Sequence, residues 1–304
     1  MENFQLQILG CGSALPTKQC NQTSQILTIR EKAFLIDCGE GTQRQIRKYN
    51  VKISRLNHIF ISHLHGDHCF GMMGLITTLG LLGRTADLHI HSHNDLEKIL
   101  RPLIDYFCQG MPYHVFFHSF NPYHHDLLYE DRSVSVHSIP LKHKVPTCGF
   151  LFSEKEKDNH MKKEMIEFYQ IPVKEISSIK KGADFVTPEG EVIPNNRLTT
   201  PATPPKKYAY CSDTTYIENI IPIIENVDCL FHEATFLQEH LPRAKETMHS
   251  TALQAATIAK KANVKQLILG HYSARYEDVS ELLAEATSVF ENTFLSEDGK
   301  IFCF

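Results

Sequence analysis

Apolar and polar positions alternate from the first residues, and the spacing predicts a strand over residues 4–9. It runs into Gly10-Cys11-Gly12-Ser13-Ala14-Leu15-Pro16-Thr17, a turn rich in Gly and Pro. Residues 25–29 and 33–37 are apolar runs around Arg30-Glu31-Lys32 and read as a hairpin. A polar helix starts near Gln43. His58-Ile59-Phe60-Ile61 reads as a buried strand, and the apolar run opening at Gly71-Met72-Met73-Gly74 has helical character. Further strands are expected over 133–139, 207–211, 229–231 and 265–269. An alanine-rich helix follows from 252 to about 262, and Thr251 with Gln254 fits a capping box at its start.

Residues 153–206 break this pattern. A charged stretch opens at Ser153-Glu154-Lys155-Glu156, and Met161, Met165, Phe168 and Tyr169 recur at helical spacing. Pro172, Pro188, Pro194, Pro201, Pro204 and Pro205 punctuate the remainder. The expectation is one domain, 1–304, with an arm inserted at about 153–185 that holds a short helix and an extended excursion. A surface insertion with a solvated helix would need no function. An arm that grips a substrate would use Lys180 and Lys181, beside Gly182.

The chemistry concentrates in Ser62-His63-Leu64-His65-Gly66-Asp67-His68, on the turn between a strand and a helix, where Gly66 is expected to let the chain bend sharply. Imidazole nitrogen and carboxylate oxygen are the usual ligands of Zn²⁺ and similar ions. Four such groups crowd a single ion that also draws ligands from elsewhere. Assigning His63 and His65 to one ion, and Asp67 and His68 to another, relieves the crowding. The predicted strands also end in ligand types: His143 after 133–139, Asp213 after 207–211 and His271 after 265–269. His143 completes the first ion and His271 the second. The two oxygens of Asp213 can each hold a different ion.

Other clusters compete with this reading. The chain has 18 histidines. His89, His91 and His93 alternate along a strand and share a face, but lack a carboxylate and the strand-turn-helix setting. Asp37-Cys38-Gly39-Glu40-Gly41-Thr42 reads as an ordinary tight turn. His249 lies just before the capped helix, either as a solvated residue or as an acid–base group.

Composition narrows the class. With 304 residues and 42% hydrophobic content, the chain buries a large core. No run of eighteen apolar residues exists, so no membrane partner is expected. Nine scattered cysteines, with no Cys-x-x-Cys pair and no signal-peptide pattern, suit reduced thiols in the cytoplasm. The net charge of −4 requires any nucleic-acid partner to meet a local basic patch.

Several motifs together resemble the ribonuclease Z family, the short-form tRNA 3′-processing endonucleases of the metallo-β-lactamase superfamily. They are Asn21-Gln22-Thr23-Ser24, the stretch 37–45, the His-x-His-x-Asp-His signature at 63–68 and Lys142-His143-x-Val145-Pro146. Further on come Ser212-Asp213-Thr214, His232-Glu233-Ala234-Thr235, His249-Ser250-Thr251 and the stretch 270–276. The resemblance implies an α/β fold, an αββα sandwich with an inserted substrate-binding arm, and two Zn²⁺ per chain, with Mn²⁺ or another divalent ion as a substitute. It implies His63, His65 and His143 on one ion, Asp67, His68 and His271 on the other, and Asp213 bridging. Asp67 would accept a proton from the attacking water, and His249, backed by Glu233, would serve the leaving oxygen. It also implies a precursor-tRNA substrate, a tRNA 3′-hydroxyl and a trailer 5′-phosphate as products, and a homodimer. The arm departs from the family, which often carries a Gly-Pro motif there; here Ile171-Pro172-Val173-Lys174 leads to Lys180-Lys181-Gly182. The competing readings are a thioesterase of the glyoxalase II type, a lactonase, or a nucleic-acid-binding module with a dead centre. The last would need a lost ligand, and none of the seven positions is substituted.

Overall fold

The alternating stretches pair into two seven-stranded sheets. In the computed structural model, which describes residues 4–304, the first sheet runs Ile301–Cys303, Phe4–Gly10, Ser24–Ile29, Lys32–Ile36, Leu56–Phe60, Leu88–Ser92 and Val115–Ser119. The start of the alternating stretch, residues 1–3, lies outside the described residues. The second sheet runs Thr293–Leu295, Leu267–Gly270, Cys229–Glu233, Lys207–Cys211, Cys148–Glu154, Val134–Pro140 and Leu127–Glu130. The hairpin closes with Ile29 opposite Lys32. From Lys32–Ile36 onward the first sheet is parallel, as is the second from Lys207–Cys211 to Thr293–Leu295.

Strand pleating sorts the side chains. Phe34, Ile36 and Phe60 point to the other sheet, where Phe34 meets Phe152 at 5.5 Å and Phe60 meets Phe150 at 5.4 Å between ring centroids. Their neighbours Leu35, Ile59 and Ile61 point the opposite way, into a second core with Leu75, Ile76, Leu100 and Ile104. Helices Met72–Leu81 and Asp95–Phe107 cover that face. On the far side, helices Ala252–Lys261 and Ser280–Thr287 bury Ala255, Ile258, Ala259 and Leu282. The layers are helix, sheet, sheet, helix. Each fully buried Phe or Leu contributes about 1.5–3 kcal/mol relative to exposure, so both cores have to be sealed on both faces.

The expected capping box is present: Thr251 Oγ1 accepts from Gln254 N at 3.2 Å, and Gln254 Oε1 accepts from Thr251 N at 3.1 Å. Gly66 differs from expectation. It is not among the glycines with positive φ. The bend falls at His65, extended at ψ 149, and Gly66 opens a one-turn helix, Gly66–Cys69. What its missing Cβ permits is the Phe70 ring, whose nearest carbon lies 2.4 Å from where that Cβ would be.

The chain divides into two compact units, Met1–Ser153 with Lys206–Phe304, and Glu154–Pro205. The smaller is no extended excursion. It carries helices Lys163–Phe168 and Val173–Lys180 and two short strand pairs. Its own core is Ile171, Ile179, Phe185, Ile193 and Leu198. The last two explain why the unit runs on to Pro205 instead of ending near 185. Proline spacing conceals this, because single apolar residues between prolines show no period.

Candidate metal centre

Each cluster residue sits just past a strand of the larger unit. Asp37 follows Lys32–Ile36, His63 to His68 follow Leu56–Phe60, Asp213 follows Lys207–Cys211 and His271 follows Leu267–Gly270. Asp37, Asp213 and His271 all have left-handed backbones, with φ of 56, 57 and 60. Non-glycine residues there are held at a cost of about 1–3 kcal/mol each, and such sites gather where function constrains the chain. The ligand turn is tied to the 37–42 turn by Cys38 N donating to His68 O at 2.8 Å and Gly71 N to Cys38 O at 2.9 Å. A Cβ on Gly71 would lie 2.1 Å from Gly39 O, so only glycine allows this approach.

Seven donors converge in two groups. In one, His63 Nε2 lies 3.1 Å from His65 Nδ1, and His143 Nε2 lies 3.3 Å from the same atom. Asp213 Oδ2 lies 3.6 Å from His63 Nε2 and 3.7 Å from His143 Nε2. In the other, Asp67 Oδ2, His68 Nε2 and His271 Nε2 are each 3.4 Å from one another. Asp213 Oδ1 lies 3.2 Å from both of those imidazoles. Ligands about 2.0–2.1 Å from a tetrahedral ion stand about 3.3–3.4 Å apart, so both groups fit a divalent cation.

The outward nitrogens explain the inward lone pairs. His68 Nδ1 donates to Asp37 Oδ2 at 2.7 Å, and His143 Nδ1 donates to the Met248 carbonyl at 2.9 Å. Ser62 Oγ donates to Asp37 Oδ2 at 2.8 Å and so accepts from His63 Nδ1 at 3.0 Å. Thr235 Oγ1 donates to Glu233 Oε2 at 2.6 Å and accepts from His271 Nδ1 at 3.0 Å. Four imidazoles thus turn Nε2 toward one another, the nitrogen whose lone pair a cation would take.

The carboxylates call for positive charge in the cluster: burial opposes it, but Asp213, Asp67 and Asp37 raise His68 well above the usual imidazole range. Asp213 and Asp67 are buried. Burial alone would raise both carboxyls, but His271, His68 and His63 hold Asp213, and His68 and His271 hold Asp67, well below the usual range. His63 is pushed down by burial and by His68.

Asp37 is the residue that sequence reasoning missed. It is fully buried and accepts from Ser62 N at 2.7 Å, Ser62 Oγ, His68 Nδ1 and Tyr210 Oη at 2.6 Å. Read as part of an ordinary turn, it is instead the hub that orients two imidazoles. Its place just past a strand was the available signal, but its partners come from two other segments, 62–68 and the strand Lys207–Cys211.

Glu233 and His249 form a pair at the same centre. Glu233 Oε1 accepts from His249 Nδ1 at 2.9 Å and from Thr214 N at 2.6 Å, and Oε2 accepts from Ser250 N at 3.0 Å. Burial opposes protonation of His249, yet the charge and hydrogen bond of Glu233 raise it to about 9. The His249 ring lies 4.9 Å from that of His143 and 5.2 Å from that of His271. His249, His143 and His271 line a cleft of about 560 Å³ with His65, Asp67 and Asp213, and its wall also carries Lys144, Arg243 and Arg275; Glu233 is fully buried and does not line it. Arg275 stacks over Phe236 at 5.1 Å. These three cations are a basic patch that net charge alone does not reveal. Lys180 and Lys181 belong to the smaller unit, at and just after the end of helix Val173–Lys180.

A family profile described as anti-Pycsar protein Apyc1 matches residues 4–156, and one described as beta-lactamase superfamily domain matches residues 197–272. Ribonuclease Z of Bacteroides thetaiotaomicron is 60% identical over 299 residues, covering 98% of this chain and 95% of that protein. Ribonuclease Z of Parabacteroides distasonis is 60% identical over 299 residues, covering 98% of both. Among solved structures, human tRNase Z, short form, shares the fold at a TM-score of 0.71 and 24% identity over 98% of each chain. Similarity at this level along the whole length, with the beta-lactamase-type sandwich around the His and Asp cluster, places the chain in the ribonuclease Z family.

Proposed function

We propose that this chain is a zinc-dependent endoribonuclease that removes the 3′ trailer from precursor tRNA. One observation carries the reading: Asp213 faces both donor groups, Oδ2 toward one and Oδ1 toward the other, and His249, held by Glu233, lines the same cleft. His63, His65 and His143 would hold one ion, Asp67, His68 and His271 the other, and Asp213 both. Bound there, two divalent cations supply Lewis acidity toward water and phosphate. Nitrogen and oxygen donors at tetrahedral spacing favour Zn²⁺, with Mn²⁺ as a substitute.

The residues divide the proton traffic. Asp67, held ionised by its imidazole neighbours, accepts the proton of the attacking water. His249 is protonated at neutral pH and gives its Nε2 proton to the departing 3′ oxygen. Glu233 fixes the ring through Nδ1 and is itself held by Thr214, Ser250 and Thr235. The tRNA then carries a 3′-hydroxyl and the trailer a 5′-phosphate. Lys144, Arg243 and Arg275 meet phosphates at the cleft, where binding weakens with salt.

Two partner surfaces complete the reading. The unit Glu154–Pro205 serves as the tRNA-gripping arm. It has eight basic and nine acidic residues, so its grip is local, at Lys180 and Lys181. The reading includes a cytoplasmic homodimer; its dimer part is supported by Leu81, Ile99, Tyr106 and Phe107, which are exposed apolar residues of helices Met72–Leu81 and Asp95–Phe107.

The deciding experiment is incubation with a 3′-extended precursor tRNA, chemical typing of both new ends, and a thioester substrate in parallel. Cleavage giving a 5′-phosphate on the trailer is expected. Thioester turnover without RNA cleavage would overturn the reading. Lys180→Ala with Lys181→Ala should weaken precursor binding and flatten its salt dependence, while sparing hydrolysis of a small phosphodiester.

A further inference from the structure

Two thiols outside the metal centre make a contact that the proposed reaction does not use. Cys11 follows the first strand, and Cys20 ends the exposed loop that comes after it. Cys11 Sγ donates to Cys20 Sγ at 3.2 Å. Both ends of the loop are anchored. Asp298 accepts from Cys11 N at 3.2 Å and from Asn21 N at 2.9 Å, and Gly12 N donates to Asn21 O at 3.0 Å. Both cysteines line a surface cavity of about 620 Å³ with Lys18, Lys48 and Tyr49.

We propose that Cys11 and Cys20 are a reversible oxidation site, closed to a disulfide by a hydroperoxide and reopened by a dithiol reductant. The nearness of the two sulfurs, the anchored backbone and the open cavity carry it. Cys20 is half-buried and Cys11 fully buried, which makes Cys20 the attacking thiol and Cys11 the resolving one. The S–H of Cys11 lowers the pKa of Cys20, against burial and the charge of Asp298. Burial raises Cys38, Cys69, Cys108, Cys148, Cys211 and Cys229 instead, and the thiolate is the reactive form.

The step balances. The Cys20 thiolate attacks one peroxide oxygen, the O–O bond breaks, and the displaced oxygen leaves as water after taking a proton. Cys20 is then a sulfenic acid. The Cys11 sulfur attacks it, the S–O bond breaks, and a second water leaves with the Cys11 proton. Two thiols lose two electrons and one hydrogen peroxide becomes two waters.

The loop reaches the metal centre through Tyr272, which follows His271. Tyr272 N donates to Cys11 O at 3.2 Å, Ser13 N donates to Tyr272 O at 3.1 Å, and Ser13 and Ala14 line the cleft. A disulfide needs the sulfurs at about 2.0 Å, so closure draws in the Cys20 end of the loop and slows turnover. This last consequence rests on the proposed function; the cross-link does not.

The test treats the full-length, metal-loaded protein with hydrogen peroxide and maps its peptides without reduction. A linked Cys11–Cys20 peptide, lost on adding dithiothreitol, is expected. Turnover should fall with cross-link yield, by up to about 10²-fold, the scale of a displacement of about 1 Å near the chemistry, and return on reduction. Cys20→Ser should form no cross-link and keep its turnover under the same treatment. Consumption of other thiols with no linked peptide would overturn the site. Equal inactivation of Cys20→Ser, or full turnover of the cross-linked protein, would overturn its link to activity. Precursor cleavage failing in untreated protein would count against the proposed function alone.

Discussion

His63, His65, His68, His143 and His271 gather at strand ends, whereas His58, His89, His91 and His118 lie on neighbouring strands of the first sheet. The second group is just as dense. His58 faces His89 at 5.0 Å between ring centroids, and His91 faces His118 at 4.7 Å. Yet its nitrogens pair off, His58 Nδ1 with His91 Nε2 at 3.2 Å and His89 Nδ1 with His118 Nε2 at 2.9 Å. One ring donates and the other accepts, so each pair is satisfied as neutral imidazoles. At the strand ends, outward acceptors hold Nδ1 of His63, His68, His143 and His271, His65 turns Nδ1 itself inward, and carboxylates join the donors. A metal centre is thus set by where the second nitrogen is held, and histidine density says little. His93 of the alternating run falls past the strand Leu88–Ser92 and sits near Asp95.

The largest break in the comparison is Asp213→Ala. Both donor groups lose their shared carboxylate, so metal content should fall at both positions and turnover by about 10⁴-fold or more, the scale of removing one member of a catalytic unit. Elemental analysis per chain decides it; full occupancy by two ions would end the bridging role. His249→Ala should cost about 10²–10⁴-fold in single-turnover rate while both ions stay bound. Because Glu233 holds His249 protonated up to about 9, the rate should decline above that pH, and Glu233→Gln should move this alkaline limb lower. An unmoved limb would assign it to another group.

Asp37→Asn tests the outer acceptors. It keeps the shape but weakens the hold on His68 and Ser62, and metal affinity should drop by about 10–100-fold. His58→Phe, in the other cluster, should leave metal affinity unchanged. A chelator titration of both variants compares them directly.

The last effect concerns stability. Burial, with the neighbouring imidazoles, lowers His58 to about 4 and His91 to about 2, from an ordinary 6.5. The unfolded chain therefore takes up these protons first. This contribution to stability is intact above pH 6.5 and is lost as the pH falls toward 4. His91→Phe should reduce the acid-side loss by about 2–3 kcal/mol, read from denaturant midpoints at pH 7 and pH 4.5. An unchanged loss would place the titration elsewhere.

Period and spacing alone determined much of this protein. Alternation marked the strands, Thr251 and Gln254 marked a helix start, and the 63–68 cluster with ligand types at three other strand ends marked a gathering of metal-ligand side chains, because these are local properties of a few consecutive residues. Tertiary structure decided the rest. It made Asp37 a hub by bringing Ser62, His68 and Tyr210 to it, and it set the contact, 2.9 Å from Nδ1 to Oε1, through which Glu233 backs His249. It turned the proline-punctuated insertion into a unit with its own core, set Lys144, Arg243 and Arg275 around one cleft, and paired Cys11 with Cys20. Each of these depends on side chains from separate segments meeting at hydrogen-bonding or packing distance, and no period along the chain encodes which segments will meet.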